Sequence, residues 1–157
     1  MITVDVDDRA VLDALGELQE RVDDPRPALE EIGAEITSQI QGLFKDSEDP
    51  WGNPWEKLAD STQTANRGKR AGGQPLLDTG ELRNSIDYQA DADGVTIYSN
   101  DVPGKVATHQ FGGYSKLFKA PIPARPFFPI RGGRADLPED WQRSAVDIVA
   151  KYIGGGS

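Results

Sequence analysis

Apolar side chains recur every three or four residues along the first third of the chain, which is the spacing of one face of an α-helix. A first helix is predicted after the alternating strand signal "ITVDV", with Asp7 or Asp8 as its cap. A second helix is predicted to run to about Phe44, with Pro27 near its start, where a missing N–H costs nothing. The predicted apolar faces consist of Val11, Leu12, Leu15, Leu18 and Val22 in the first helix and of Leu29, Ile32, Ile36, Ile40 and Leu43 in the second.

The middle of the chain lacks this periodicity, and two of its segments have the composition of loops. The stretch "DPWGNPWEKLADST" is predicted to be a compact loop that Trp51 and Trp55 pin to the core. The stretch "NRGKRAGGQP" is predicted to be a mobile basic loop that carries Arg67, Lys69 and Arg70.

A third helix and a hairpin are predicted next. "LLDTGELRNSI" begins with Asp78 or Thr79 as a cap, and Leu82 and Ile86 lie four residues apart, so both are expected to point inward. "DYQADADGVTIYS" predicts a β-hairpin with "ADG" as its turn. Its second strand is expected to have two different faces, made of Val95 and Ile97 on one side and Thr96 and Tyr98 on the other.

The last third of the chain combines helical and extended signals. "KVATHQFGG" predicts a helix that closes on Gly112 and Gly113. "APIPARPFFPI" is expected to be extended, at a sheet edge or on the surface, because each proline lacks a donor for a β-ladder. The C-terminal stretch predicts a helix whose inner face consists of Leu137, Trp141, Ile148 and Tyr152.

Taken together, these elements predict an α+β fold in which amphipathic helices pack on a small antiparallel β-sheet, with long loops. The length of 157 residues suits one domain, which we expect over residues 1–153, followed by a flexible Gly/Ser tail at residues 154–157. No apolar run reaches the ~20 residues that a membrane span needs, and the N-terminus has no signal-peptide pattern, so a cytoplasmic site of synthesis is expected.

Composition removes several kinds of chemistry. The chain has no cysteine and a single histidine, which excludes thiol catalysis, thiolate zinc sites and a His-rich metal site. Its formal net charge of −9 argues against sequence-independent DNA binding, which depends on Lys and Arg at the phosphates. No catalytic, cofactor-binding or metal-binding residue is predicted, and no cofactor is expected.

His109 is the natural candidate for a catalyst, because the pKa of histidine lies near neutrality. A hydrolase that uses His109 with a carboxylate such as Asp101 is one alternative, although no hydrolase motif accompanies it. The favoured interpretation is structural: His109 bonds to a backbone carbonyl and shapes the turn into Gly112 and Gly113, which allow a positive φ or a close backbone approach.

Four motifs in a fixed order resemble the phage virion morphogenesis family, the tail-completion proteins of Mu-like and P2-like contractile-tailed phages. They are a G-x-x-W-x-x-L segment, a T-G-x-L-R-x-S-I segment, a histidine with Gln-Phe-Gly-Gly, and I-P-A-R-P-F. In this chain they are Gly52 with Trp55 and Leu58, Leu77 to Ile86, His109 to Gly113, and Ile122 to Phe127, within a match from about residue 29 to 150.

The resemblance implies a non-enzymatic structural protein of the virion tail or neck, made in the host bacterial cytoplasm. Such a protein completes the tail at its head-proximal end and enables head–tail joining, in the manner of a neck protein or tail terminator. The expected partners are copies of the chain itself, in a hexameric ring by analogy with the tail tube, together with the tail tube or terminator and head–neck proteins.

Two groups of residues are expected to meet these partners. The rigid "IPARPFF" segment is predicted to pack on the core or on a neighbouring subunit, since arginine and aromatics anchor interfaces; its candidates are Arg125, Phe127 and Phe128. The basic loop is expected to meet an acidic neighbour. A neck protein that contacts DNA through the same loop is the minor alternative.

Overall fold

The computed structural model describes residues 3–5, 9–57, 80–117 and 119–154. Within these residues helices and small antiparallel sheets occur together, so the predicted α+β class is confirmed. In chain order the elements are β1 (Thr3–Asp5), α1 (Arg9–Arg21), α2 (Arg26–Asp46), α3 (Glu81–Asn84), β2 (Ile86–Ala90), β3 (Val95–Ser99), α4 (Pro103–Phe111), β4 (Gly113–Ser115), β5 (Ala120–Ile122), β6 (Ile130–Arg131), β7 (Arg134–Ala135) and α5 (Glu139–Ile153).

The described strands form one three-stranded sheet and two short two-stranded ones. The larger sheet has the order β1–β3–β2, and β1 pairs antiparallel with β3 so that Val4 lies opposite Ile97. The predicted hairpin is therefore present as β2 and β3, with Val95 and Ile97 buried as expected. The smaller sheets are the hairpins β4–β5 and β6–β7.

The chain divides into two compact units, which are described separately. The single domain predicted for residues 1–153 stays a prediction. The described residues of unit 1 fall within 40–57, 80–86 and 99–128, and those of unit 2 within 3–39, 87–98 and 129–154.

In unit 2, helix α1 packs against α5 through its apolar face. Val11, Leu15 and Leu18 of the face predicted for α1 are buried, but Leu12 is 48% exposed and Val22 is half-buried beyond the end of the helix. The small Ala14 is buried in addition. Leu12 lies at the edge of the predicted stripe, about 100° around the helix from Val11, so a small change in the packing angle leaves it in solvent. Helix α2 contributes residues 26–39 to unit 2 and residues 40–46 to unit 1, and the apolar face predicted for it is buried in full, at Leu29, Ile32, Ile36, Ile40 and Leu43.

Helix α2 also approaches the sheet of unit 2 closely at Gly33. A Cβ atom built on Gly33 would collide with the ring of Tyr88 in β2. The lack of a side chain at this position therefore sets how closely the helix and the strand pack.

Helix α5 differs from the prediction in the residues of its inner face. Trp141, Ala145 and Val149 are buried at a spacing of four residues, whereas Ile148 and Tyr152 are half-buried. The prediction weighted large apolar side chains and passed over Ala145, whose small side chain allows close packing.

In unit 1, the last turns of α2 and the short α3 contribute to the core. Leu82 and Ile86 point inward as predicted, each about 4% exposed. The N-terminal cap of α3 is Gly80, with a φ of 77° and no side-chain hydrogen bond. Asp78 and Thr79, which were predicted as caps, lie outside the described residues.

Candidate functional site

Helix α4 ends at a turn that only glycine makes without strain. The N–H of Gly112 donates to the carbonyl of Thr108 (2.8 Å), and Gly112 has a φ of 81°. A Cβ atom at this position would lie 3.0 Å from the carbonyl oxygen of Ile122 and 3.1 Å from the nitrogen of Ala124. The turn thus brings the end of α4 against the extended segment that follows β5.

Gln110 joins these two segments. Its side chain is 2% exposed, and its Oε1 accepts hydrogen bonds from the N–H groups of Phe127 (3.1 Å) and Phe128 (2.9 Å). Its Nε2 donates to the carbonyl of Phe128 (3.0 Å). One amide side chain therefore replaces the strand partner that this proline-rich segment lacks.

Arg125 and Trp55 tie the same segment to the loop after α2. The Nε and Nη2 atoms of Arg125 donate to the carbonyls of Glu56 (2.8 Å) and Lys57 (3.1 Å). The indole Nε1 of Trp55 donates to the carbonyl of Pro126 (2.7 Å). Arg125 is 7% exposed, and burial lowers its pKa, but a guanidinium stays protonated under all physiological conditions.

Aromatic rings fill the space beneath these bonds. Phe44 contacts Trp55 edge-on, with ring centroids 5.4 Å apart, and Phe127 at 5.3 Å. Phe127 in turn contacts Phe128 at 4.9 Å. We call the contacts between residues 109–113 and 122–128, together with Trp55, the motif junction. Three of the four motifs singled out in the sequence meet there.

His109 takes part in the motif junction through its main chain. Its carbonyl accepts a hydrogen bond from the N–H of Arg125 (2.7 Å). The ring is half-buried, and within the described part of the chain its Nδ1 atom is buried without a hydrogen-bond partner. The bond to a backbone carbonyl that was predicted for the ring is therefore absent at Nδ1.

Electrostatics at His109 favour a neutral ring. Burial lowers the pKa of His109 from its usual 6.5, and the cations Arg125 and Lys105 lower it further, while Asp101 opposes them. The carboxylate of Asp101 lies 2.8 Å from the ammonium of Lys105, and this close ion pair lowers the pKa of Asp101. The carboxylate suggested as a partner for His109 is thus engaged by a lysine.

The structure places the predicted interface residues inside unit 1. Phe127 and Phe128 are fully buried, and Arg125 is nearly so, which agrees with the alternative that "IPARPFF" packs on the core of its own chain. Buried side chains have no surface to offer a partner, so their contact with a neighbouring subunit stays a prediction without a described contact behind it. Arg67, Lys69 and Arg70 lie outside the described residues.

The adjoining hairpin β4–β5 has the opposite character. Phe111, Tyr114 and Leu117 are 59%, 62% and 82% exposed, and Lys116 and Lys119 are exposed beside them. We call these five residues the hairpin patch. The sequence interpretation missed both this patch and Gln110, although Gln110 lies four residues after the buried Val106 and therefore on the inner face of α4.

The described residues include neither a metal-binding cluster nor a membrane-spanning helix. They contain no cluster of three or more metal-binding side chains, and no helix among them is long and apolar enough to cross a bilayer. At the motif junction the residues of three sequence motifs are engaged in packing and in hydrogen bonds to the main chain.

The family of the chain is shown by direct comparison. The phage virion morphogenesis family matches residues 6–149, so the chain belongs to that family. The resemblance drawn from the four motifs is confirmed, and it extends further towards the N-terminus than expected. Membership gives the chain a role in building phage particles. No curated protein and no solved structure gives a significant match to it.

Proposed function

We propose that this chain completes the phage tail at its head-proximal end and enables the filled head to join it. The observation that carries the proposal is membership of the phage virion morphogenesis family over residues 6–149. In this role the chain acts without catalysis in the host cytoplasm and stays in the virion at the neck. Its partners are further copies of itself, the tail tube or terminator, and head–neck proteins.

The surface of unit 1 supports a role in assembly. Monomeric proteins rarely expose several large apolar side chains close together, and such patches mark contacts with other proteins. Phe111, Tyr114 and Leu117 occur within seven residues of sequence, at the end of α4 and on a hairpin. Gly112, at the base of that hairpin, packs closely against Ile122 and Ala124 in the motif junction, so the patch adjoins a buried and hydrogen-bonded part of unit 1.

The surroundings of His109 support a structural role over hydrolysis. A general base needs a nucleophile or an orienting group within hydrogen-bond reach. Within the described residues Nδ1 has no such group, and Asp101 is paired with Lys105. The contact that His109 does make, from its carbonyl to the N–H of Arg125, links two segments of unit 1.

The test is deletion of the gene from the phage or prophage genome that encodes this chain, followed by electron microscopy of the lysate. We expect filled heads and tails that remain separate, and particles restored when the purified chain is added to the lysate. Normal joined particles after deletion would contradict the proposal. A His109→Gln protein serves as the control for catalysis, because a structural histidine predicts that restoration survives wherever this variant folds.

A further inference from the structure

The charges of this chain are strongly segregated along the sequence. Residues 102–135 contain six Lys and Arg residues and no Asp or Glu, although the whole chain has a net charge of −9. The hairpin patch lies within this stretch, and its exposed Lys116 and Lys119 flank the exposed Leu117. The patch therefore combines three exposed apolar side chains with two exposed lysines.

A complementary surface exists on helix α1. Leu12, Asp13, Gly16, Glu17 and Glu20 are all exposed and, at 3.6 residues per turn, lie within an arc of about 140°. The buried residues of α1 occupy the opposite side. We call these five residues the acidic face of α1. It offers one exposed apolar side chain, Leu12, at one edge, and three carboxylates, of which Glu17 lies 3.3 Å from the guanidinium of Arg21. The exposed Arg9 lies in the same arc near the start of the helix, so the face carries more negative than positive charge.

Gly16 gives this face room for an incoming side chain. A Cβ atom built there would meet nothing within 4 Å, so the surface is open above the helix backbone. An aromatic or leucine side chain can therefore approach the backbone of α1 between Leu12 and Glu20. The hairpin patch offers side chains of this kind, together with two lysines whose charge is opposite to that of the carboxylates on α1.

We propose that the hairpin patch of one copy of this chain docks on the acidic face of α1 in a second copy. The two surfaces differ, so the contact is heterologous and passes from copy to copy, closing into a ring where the rotation allows. The exposed apolar side chains of the patch favour a protein partner over the phosphate backbone of DNA. The inference names a partner surface for the proposed tail-completion function and rests on that function for its biological setting.

The first experiment measures self-association of the purified full chain by sedimentation equilibrium over a range of protein and salt concentrations. We expect association that weakens as salt rises, because opposite charges meet at the rim of the contact. Lys116→Glu with Lys119→Glu, and separately Asp13→Lys with Glu20→Lys, should each weaken association roughly tenfold or more. A chain that stays monomeric at every concentration overturns the proposal.

The decisive measurement is a mixture of the two charge-reversed proteins. The reversed hairpin patch of one should bind the reversed acidic face of the other, and association should return close to the wild-type level. Two matched controls change the net charge equally at other exposed sites: Arg143→Glu with Lys151→Glu, and Glu30→Lys with Glu31→Lys. Failure of the mixture to recover, or equal effects of the controls, overturns the proposal.

Two further readouts separate self-association from DNA binding and from the tail-completion function. If Lys116→Glu with Lys119→Glu leaves association unchanged and abolishes retention of a double-stranded DNA fragment, the patch serves nucleic acid and the proposal is wrong. Head–tail joining after gene deletion tests the proposed function independently. If heads and tails still join after the gene is deleted while self-association depends on the reversed charges, the proposed function alone is overturned. If joining is lost but self-association does not respond to the reversed charges, this inference alone is overturned.

Discussion

The motif junction and the hairpin patch are neighbours in the sequence and opposites in their physical chemistry. The junction buries an amide and a guanidinium, Gln110 and Arg125, where apolar groups would be expected. The patch exposes Phe111, Tyr114 and Leu117, which would be expected inside. In neither region, therefore, does the hydrophobicity of a side chain predict whether it is buried. The buried polar groups are accounted for by their hydrogen bonds to the main chain, whereas no contact within one copy of the chain accounts for the exposed apolar groups among the described residues.

The largest effect should come from the same substitution made in both regions. Phe127→Ala removes a fully buried ring from the aromatic cluster and should cost about 3–5 kcal/mol of unfolding free energy. Phe111→Ala should cost about 0.5 kcal/mol or less, because its ring is mostly in solvent. Urea unfolding followed by circular dichroism measures both. Similar losses at the two positions would remove the distinction between core and docking surface.

Loss of the buried amide should rank next. Gln110→Leu leaves two N–H groups and one carbonyl of Phe127 and Phe128 unsatisfied in the interior. Because each orphaned group costs about 1–3 kcal/mol, we expect a loss of about 3 kcal/mol or more. Gln19→Leu, which removes a single exposed bond to Ala92, is the matched control and should change stability by about 0.5 kcal/mol or less. An unchanged free energy of unfolding in Gln110→Leu would show that residues 122–128 do not depend on the side chain of Gln110 for their conformation.

Replacement of glycine by alanine should have a smaller effect on the free energy of unfolding. The change should destabilise the chain at the turn between the two regions and stabilise it in the first turn of α4. Gly112→Ala places a side chain at a φ of 81° and a ψ of 174°, a region that essentially only glycine occupies, and against the carbonyl of Ile122, so it should cost about 1–3 kcal/mol. Gly104→Ala, in the exposed first turn of α4 with open space around it, should stabilise by about 0.5–1 kcal/mol. Equal thermal shifts for the two variants would contradict the strained turn.

The smallest effect concerns pH. The pKa of His109 is lowered in the folded chain, mainly by burial, so folding favours the neutral ring. Its stabilising contribution is therefore complete above the unfolded value of about 6.5 and is lost as pH falls through the lower folded value. Unfolding free energies between pH 7.5 and 5 should fall less steeply in His109→Gln than in the wild type. Because this is the only histidine, an unchanged slope would contradict the assignment.

Local patterns predicted the elements of the fold well. The periodic apolar face of α2, the hairpin of β2 and β3, and the closure of α4 on Gly112 all follow from interactions within a few residues. Periods of 3.6 and 2, together with glycine at positive φ, are properties of the chain itself and need no knowledge of its neighbours. Leu12 was misjudged because it lies at the edge of its face, and the face of α5 was misjudged because the small Ala145 was passed over.

The candidate site was predicted only in part. The order of the four motifs indicated the family, and the same motifs contained the residues of the junction. Their positions relative to solvent did not follow, because "IPARPFF" has the composition of an interface anchor and equally that of a core segment. The sequence of this segment does not indicate that Gln110 supplies the hydrogen-bond partners of its main chain.

By itself, the sequence determined the helices, the hairpin, the turn at Gly112 and membership of the phage virion morphogenesis family. Only the tertiary structure decided that Arg125 and Phe127 lie inside while Phe111 and Leu117 lie outside. The physical reason is that burial depends on which distant groups supply contacts and hydrogen bonds. Trp55 reaches Pro126 across 71 positions of sequence, and a contact at that separation leaves no periodic trace in either segment.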